Sequence, residues 1–322
     1  MRIIFYGTPD FAVTTLNAIY HENFEIAAVV TAPDKPSGRG RKLKPSPVKQ
    51  YALEKDIPVL QPPNLKAESF ISELKSLNPD VQVVVAFRML PEVVWSLPPK
   101  GTFNIHASLL PQYRGAAPIN HAIINGETET GVTSFFLQKE IDTGHIIARK
   151  KISIDENDNA GTLHDKLMIS GARLAVETLH QIQQNQVNQI PQHTLINSNE
   201  TLKKAPKIFK DDCKINWDQP VETVYDFIRG LSPYPGAFTY ISDNKSITKL
   251  VKIYKASTKY NFNTYETYSL LTDGKHYLQI VCRDGAAEIK EIQMEGKKRM
   301  EISEFLKGFP IDENWVVKQA NT

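Results

Sequence analysis

The chain has 322 residues, room for two domains at the usual allowance of roughly 100–200 residues each. Hydrophobic residues make up 41% and charged residues 23%, globular values that exclude a disordered chain and leave enough apolar mass for a sizeable core. A formal net charge of +2 excludes a wholly basic nucleic-acid wrapper, although it leaves room for a local basic patch.

The chain opens on a β-branched strand at Arg2–Gly7, with residues 10–20 as a helix whose first position suits Pro9. Residues 24–31 read as a second strand, and Ser46-Pro47 as an N-cap followed by a proline that starts a helix to about Lys55. A short strand at 58–61 precedes a helix with apolar Phe70, Ile71, Leu74 and Leu77. Residues 81–87 are apolar on both faces, which predicts a strand inside a parallel sheet. Residues 101–108, a helix at 117–124, and strands at 132–138 and 146–154 continue the alternation, and a helix at 162–184 closes it. This pattern predicts a Rossmann-like α/β domain with a doubly wound, mostly parallel sheet, any ligand lying beyond the carboxyl ends of its strands.

At 183–192 the composition turns Gln/Asn-rich, which reads as a spacer. Beyond it come short strands at 234–241, 250–254, 277–282 and 287–294, broken by Asp273-Gly274 and Asp284-Gly285. They predict a small β-barrel. The division is 1–188 for the first domain, 189–206 for the linker and 207–322 for the barrel.

The amino-terminal apolar run ends at Gly7-Thr8-Pro9-Asp10, too short for a signal peptide, and no stretch approaches the roughly 20 residues that cross a bilayer. Two widely spaced cysteines, Cys213 and Cys282, form no disulfide framework and fit the cytoplasm. A soluble protein is expected.

Asn104-Ile105-His106 places an amide and an imidazole two apart on a predicted strand, so both side chains face the same way. Asp142-Thr143-Gly144 follows the strand at 132–138, which predicts a carboxylate at the carboxyl end of a neighbouring strand, on one edge with the other two. The set suits acyl transfer to an amine, with donors for a developing oxyanion and a carboxylate that sets the imidazole's protonation. No Ser or Cys stands in a nucleophile context, which favours direct attack by the amine over a covalent acyl-enzyme.

The loop at 34–49, DKPSGRGRKLKPSPVK, holds six basic residues against one acidic. It is long for a strand-to-helix connection, usually roughly 2–6 residues, and reads as mobile and able to order on a polyanion such as a phosphate backbone. Residues 155–166 begin like a calcium loop but carry Ala160 and Lys166 at the Gly and Glu positions, so no calcium is expected. No dinucleotide or P-loop spacing occurs, and His121, His164 and His180 lack ligand spacing, so no metal is expected.

These residues resemble the methionyl-tRNA formyltransferases, within the folate-dependent formyltransferase superfamily. The resemblance is carried by RIIFYGTPDFA (2–12), the loop at 32–49, NIHASLLPQYRGAAP (104–118), Asp142-Thr143-Gly144, IRGLSPYPGAF (228–238) and QMEGKKRM (293–300). It implies a Rossmann-like catalytic domain followed by an OB-like β-barrel that binds tRNA. It assigns catalysis to Asn104, His106 and Asp142, with 10-formyltetrahydrofolate as donor and the α-amino group of initiator methionyl-tRNA as acceptor, through a tetrahedral intermediate.

The folate wall it implies comprises Phe87, Arg88, Met89 and Leu90 with Ser108, Leu109, Leu110 and Pro111. Arg88 stands where family members often carry Gly, and His145 where many carry Asp. Lys35, Arg39, Arg41, Lys42 and Lys44 inherit a role at the tRNA acceptor stem, Lys297, Lys298 and Arg299 a role on the barrel, and a monomer is implied. Two alternatives stay open: another folate-dependent formyltransferase or formyltetrahydrofolate hydrolase, and a non-catalytic RNA-binding protein on the same fold.

Overall fold

The structure is a computed structural model describing residues 1–37, 42–196, 201–243, 247–260, 265–312 and 314–318. The chain divides into two compact units. The first comprises Met1–Pro118, Glu129–Ser153 and His164–Lys204, and the second Ile119–Thr128, Ile154–Leu163 and Ala205–Thr322. The helix Pro118–Ile124, inside the expected first domain, thus contributes most of its length to the second unit.

In the first unit, Arg2–Gly7 is the central strand, flanked in parallel by Glu25–Val30 and Val81–Val85. Every residue of Val81–Val85 is buried, the signature of a strand covered on both faces. Val59–Leu60 and Thr102–His106 extend the parallel sheet on either side. The alternation then stops being parallel: Glu129–Phe136 runs antiparallel to Thr102–His106, and Ile146–Ser153 antiparallel to Glu129–Phe136. The sheet direction reverses sides between Arg2–Gly7 and Val81–Val85, so its switch point lies beside Gly7 and Ala86.

Local chemistry sets the boundaries. Ser46 caps the helix Pro47–Glu54, its Oγ accepting from Lys49 N at 3.1 Å, as the sequence predicts. Pro9 is the N-cap of Asp10–His21 and not its first helical residue: its backbone is extended and its carbonyl accepts from Ala12 N at 2.9 Å. The basic segment is no plain loop, since Lys35–Ser37 and Lys42–Lys44 pair as an antiparallel hairpin.

The second unit is an antiparallel sheet in the order Leu270–Thr272, Leu278–Val281, Gly285–Met294, Thr248–Tyr260, Ala237–Ser242, Val316–Val317. A bridge between Ser269 and Val316 brings the two edges together, nearly closing a barrel. The long strand Thr248–Tyr260 shifts register around Lys255, and such bulges supply the bend that closure needs. Trp217, Ile241, Ile253, Ile289 and Phe305 fill the core, with Trp217 Nε1 donating to Thr239 Oγ1 at 3.1 Å. The strand expected at 234–241 starts at Ala237, because two prolines among residues 233–235 cannot donate to a ladder.

Candidate active site

Asn104 and His106 lie on Thr102–His106, the last parallel strand before the sheet reverses. His106 is only 7% exposed, with its ring edge-on to Phe135. Its Nε2–H donates to the carbonyl of Tyr113 at 2.9 Å, while Nδ1 stands 4.0 Å from Asp142 Oδ2. One ring nitrogen thus faces a carbonyl oxygen at hydrogen-bond distance and the other a carboxylate oxygen across a wider gap. Asn104 Oδ1 is buried without a hydrogen-bond partner among the described residues, a costly state in a finished protein core and an ordinary one at a binding site.

Asp142 reaches His106 by a route that differs from the expected one. Because Glu129–Phe136 is antiparallel, Phe136 pairs with Phe103 and Thr133 with His106, so the strand ends away from the carboxyl end of Thr102–His106. The connection at 137–145 folds back instead. Gly144 passes so close to Phe136 that a Cβ there would sit 1.7 Å from its carbonyl oxygen, which explains the glycine. Asp142 takes a left-handed backbone with φ of 54°, a conformation costing about 1–2 kcal/mol for an L-residue. Its Oδ2 accepts from Gly115 N at 3.0 Å.

The Gln/Asn-rich spacer holds this arrangement in place. Ile190 pairs with Ile146, and the buried Gln192 donates from Nε2 to the carbonyls of Asp142 and Gly144, both at 2.9 Å. Its Oε1 accepts from Arg114 Nε at 3.0 Å and from Nη2 at 2.6 Å. Farther along, Lys203 O accepts from Tyr113 N at 2.7 Å, so the residue whose carbonyl faces His106 is itself held by its backbone N–H. Burial lowers the pKa of the Arg114 guanidinium, with Asp142 and Glu140 acting against that shift. Composition alone hid these residues; the one local signal is Pro191, which opens the short helical turn Gln192–Leu195.

Of the expected folate wall, Phe87 packs edge-on to Tyr6 with ring centroids 5.6 Å apart, Leu90 is buried, and Met89 is 74% exposed. Arg88 turns its guanidinium onto the carbonyls of Pro62 and Pro63, tying the segment after Val81–Val85 to that after Val59–Leu60. Ser108, Leu110 and Pro111 are buried, and Leu109 is half-buried. The Ser108 hydroxyl donates to Gln112 O, and Thr133 Oγ1 accepts from Leu110 N while donating to Ser108 O. His145 lies by Gln189 Oε1 at 3.2 Å, outside the His106–Asp142 pair.

Lys35 and Lys44 are exposed and directly opposed across the hairpin. Lys42 lies on the hairpin, while Arg39 and Arg41 fall outside the described residues. Lys49 pairs with Asp34 at 2.7 Å, so one of the six cations is committed to the hairpin base. On the second unit Lys297 and Lys298 are exposed in the turn after Gly285–Met294. Arg299 pairs with Glu291 and lies 4.5 Å over the Tyr254 ring, and is thus partly spent internally.

A strand amide, a buried imidazole and a folded-back carboxylate thus stand together at one edge of the first unit's sheet. Residues 1–179 match the family model for formyl transferase, and residues 207–310 that for the formyl transferase C-terminal domain. The methionyl-tRNA formyltransferase of Bacteroides fragilis is 50% identical over 318 residues, spanning 99% of this chain and 98% of that one. That of Parabacteroides distasonis is 51% identical over 310 residues, 96% of each. The chain belongs to the formyl transferase family and, within it, to the methionyl-tRNA formyltransferases.

Two solved structures share the fold. The N-formyltransferase from Helicobacter canadensis, in complex with folinic acid and dTDP-3-aminofucose, has a TM-score of 0.60 at 21% identity, over 92% of this chain and 99% of that one. HypX from Aquifex aeolicus in complex with tetrahydrofolic acid has a TM-score of 0.63 at 19% identity, over 97% of this chain and 48% of that one. No helix among the described residues is long and apolar enough to cross a membrane.

Proposed function

We propose that the chain transfers the formyl group of 10-formyltetrahydrofolate to the α-amino group of methionine on initiator methionyl-tRNA. The observation that carries this is His106, held between Tyr113 O and Asp142 beside Asn104, in a chain half identical to methionyl-tRNA formyltransferases along nearly its whole length.

The amine nitrogen attacks the formyl carbon directly, forming the new C–N bond as the carbonyl pair moves onto oxygen. Collapse of this tetrahedral intermediate breaks the bond to the donor's N10, and the proton lost by the amine goes to that nitrogen. Asn104 donates an amide N–H to the oxyanion, and one such donor is worth about 2.7–4 kcal/mol of barrier. With Nε2–H engaged by Tyr113 O, protonation of His106 at Nδ1 places the second N–H in the 4.0 Å gap before Asp142. There it serves the oxyanion or a relaying water, while Asp142 supports the imidazolium. The segments containing Phe87, Arg88, Met89 and Leu90, and Ser108, Leu109, Leu110 and Pro111, bind the donor's pteridine.

Lys35, Arg39, Arg41, Lys42 and Lys44 engage the acceptor stem, and Lys297, Lys298 and Arg299 add phosphate contacts from the barrel. In this reading residues 1–188 form the catalytic domain, 189–206 the linker and 207–322 the tRNA-binding domain of a cytoplasmic monomer, a compartment that two buried free cysteines fit. The decisive assay compares formylation of initiator and elongator methionyl-tRNA by the purified protein. Strong preference for the initiator is expected; equal use of free glycinamide ribonucleotide overturns the assignment.

A further inference from the structure

We propose that Gln192 is a positioning residue for formyl transfer, holding Asp142 at His106 by bonding at once to the Asp142 turn and to the Arg114–Gly115 segment; this rests on the formyl-transfer role of the site. Asp142 needs such a support. Its carboxylate stands 4.0 Å from His106 Nδ1, beyond hydrogen-bond length, so the imidazole does not fix it. Its strand ends elsewhere, and its own backbone is left-handed. What defines its place is Gly115 N on the carboxylate and Gln192 on the main chain.

Gln192 is chemically suited to this task in a way that no other side chain of its length is. An amide offers two N–H donors and two oxygen lone pairs, and all four are used here: two donors on the carbonyls of Asp142 and Gly144, two lone pairs on the guanidinium of Arg114. Arg114 immediately precedes the glycine that grips Asp142, so the contacts form a closed ring: Gln192 to Asp142 main chain, Asp142 carboxylate to Gly115, Arg114 back to Gln192. The side chain is 3% exposed, so losing it leaves two carbonyls and a guanidinium without their buried partner. The surroundings separate this role from general packing, because the neighbouring glutamines and asparagines of 183–189 are mostly exposed.

Two substitutions divide the ring. Gln192→Leu removes all four bonds. Gln192→Glu keeps the length and the acceptor toward Arg114 but sets a carboxylate against the two carbonyls, releasing the Asp142 turn alone. Steady-state and single-turnover formylation of initiator methionyl-tRNA is measured for the full-length wild type, both variants, and each variant combined with Asp142→Asn. A displacement near 1 Å in a catalytic group costs up to about 100-fold. We expect kcat to fall by about 10- to 100-fold in both variants, with KM for each substrate changed less than about threefold. In the Asp142→Asn background the further loss should be under about threefold, because residues acting through one group are not additive.

Equal losses in both backgrounds, a loss carried by KM, or a kcat within about twofold of wild type each overturns the proposal. If Gln192→Leu fails to fold by circular dichroism, Gln192→Glu decides the matter alone. A wild type that does not formylate defeats the formyl-transfer role itself, an outcome separate from any behaviour of the variants.

Discussion

Two regions of the first unit handle charge in opposite ways. Around His106 the ionisable groups are few, buried or half-buried, and each directed at a protein partner: Tyr113 O, Asp142, Gly115 N and Gln192. On the hairpin, Lys35 and Lys44 are exposed and placed opposite one another, where like charges oppose strand pairing. The first region binds to itself and presents one prepared geometry, so under the proposed function a single deletion there should remove activity. Under the proposed function the second gives up some local stability to keep cations available for a polyanion, and its effects should be graded and screened by salt.

The sharpest way to break this contrast is at the buried pair. His106→Ala should lower kcat by about 10³-fold, as expected for losing a positioned proton-transfer and charge-stabilising group, with tRNA affinity by filter binding unchanged. A variant that retains a tenth of wild-type turnover would show that the imidazole is not central. Next comes the basic segment at 34–49. Joint replacement of Arg39, Arg41 and Lys42 by Ala should raise KM for tRNA by about tenfold or more near physiological salt, and should flatten the plot of log kcat/KM against log salt. Single-turnover formylation at saturating tRNA should be nearly unaffected; an unchanged apparent affinity refutes the role of the basic segment.

Smaller effects refine the comparison. Lys44→Ala removes one of the opposed lysines, so it should weaken tRNA use while stabilising the hairpin by roughly 0.2–1 kcal/mol, read from amide hydrogen exchange in Lys35–Ser37 and Lys42–Lys44. Opposite signs for binding and stability are the expected signature; matching signs would mean that Lys44 has a partner within the fold. At the hairpin base, hydrogen bonds from Lys49 and Gln61 hold the Asp34 carboxyl below the usual carboxylate range. A depressed folded value means that its contribution is present above the ordinary aspartate value near pH 4 and lost as pH falls through the folded one. Thermal melts of Asp34→Asn and wild type should therefore differ slightly at pH 6 and converge in acid. A constant difference across that range would remove Asp34 as an electrostatic anchor.

Much of the site was legible in residue spacing. A strand fixes side-chain direction with a period of two, so Asn104 and His106 were paired before any fold was known. Continuous apolar runs announced the parallel strands at Arg2–Gly7 and Val81–Val85, and Ser46-Pro47 announced its helix. The hairpin inside 34–49 was harder to see, because its strands are three residues each and rich in lysine, with no alternation to read. Residue type and motif place Asp142 with Asn104 and His106, and the structure does bring it to 4.0 Å from His106, but through a turn that folds back, because the strand before it runs the other way.

By itself, then, the sequence determined what local forces encode: strand and helix periods, caps, the cationic segment, and a motif set that identifies the family. Tertiary structure alone decided which strands reverse, how the turn at Asp142 comes back to His106, and that Gln192, one glutamine in a polar stretch, is buried against that turn. The physical reason is range. Propensities and side-chain directions act over a few neighbours, whereas the bond from Gln192 to Asp142 joins residues 50 positions apart, and no local preference records it.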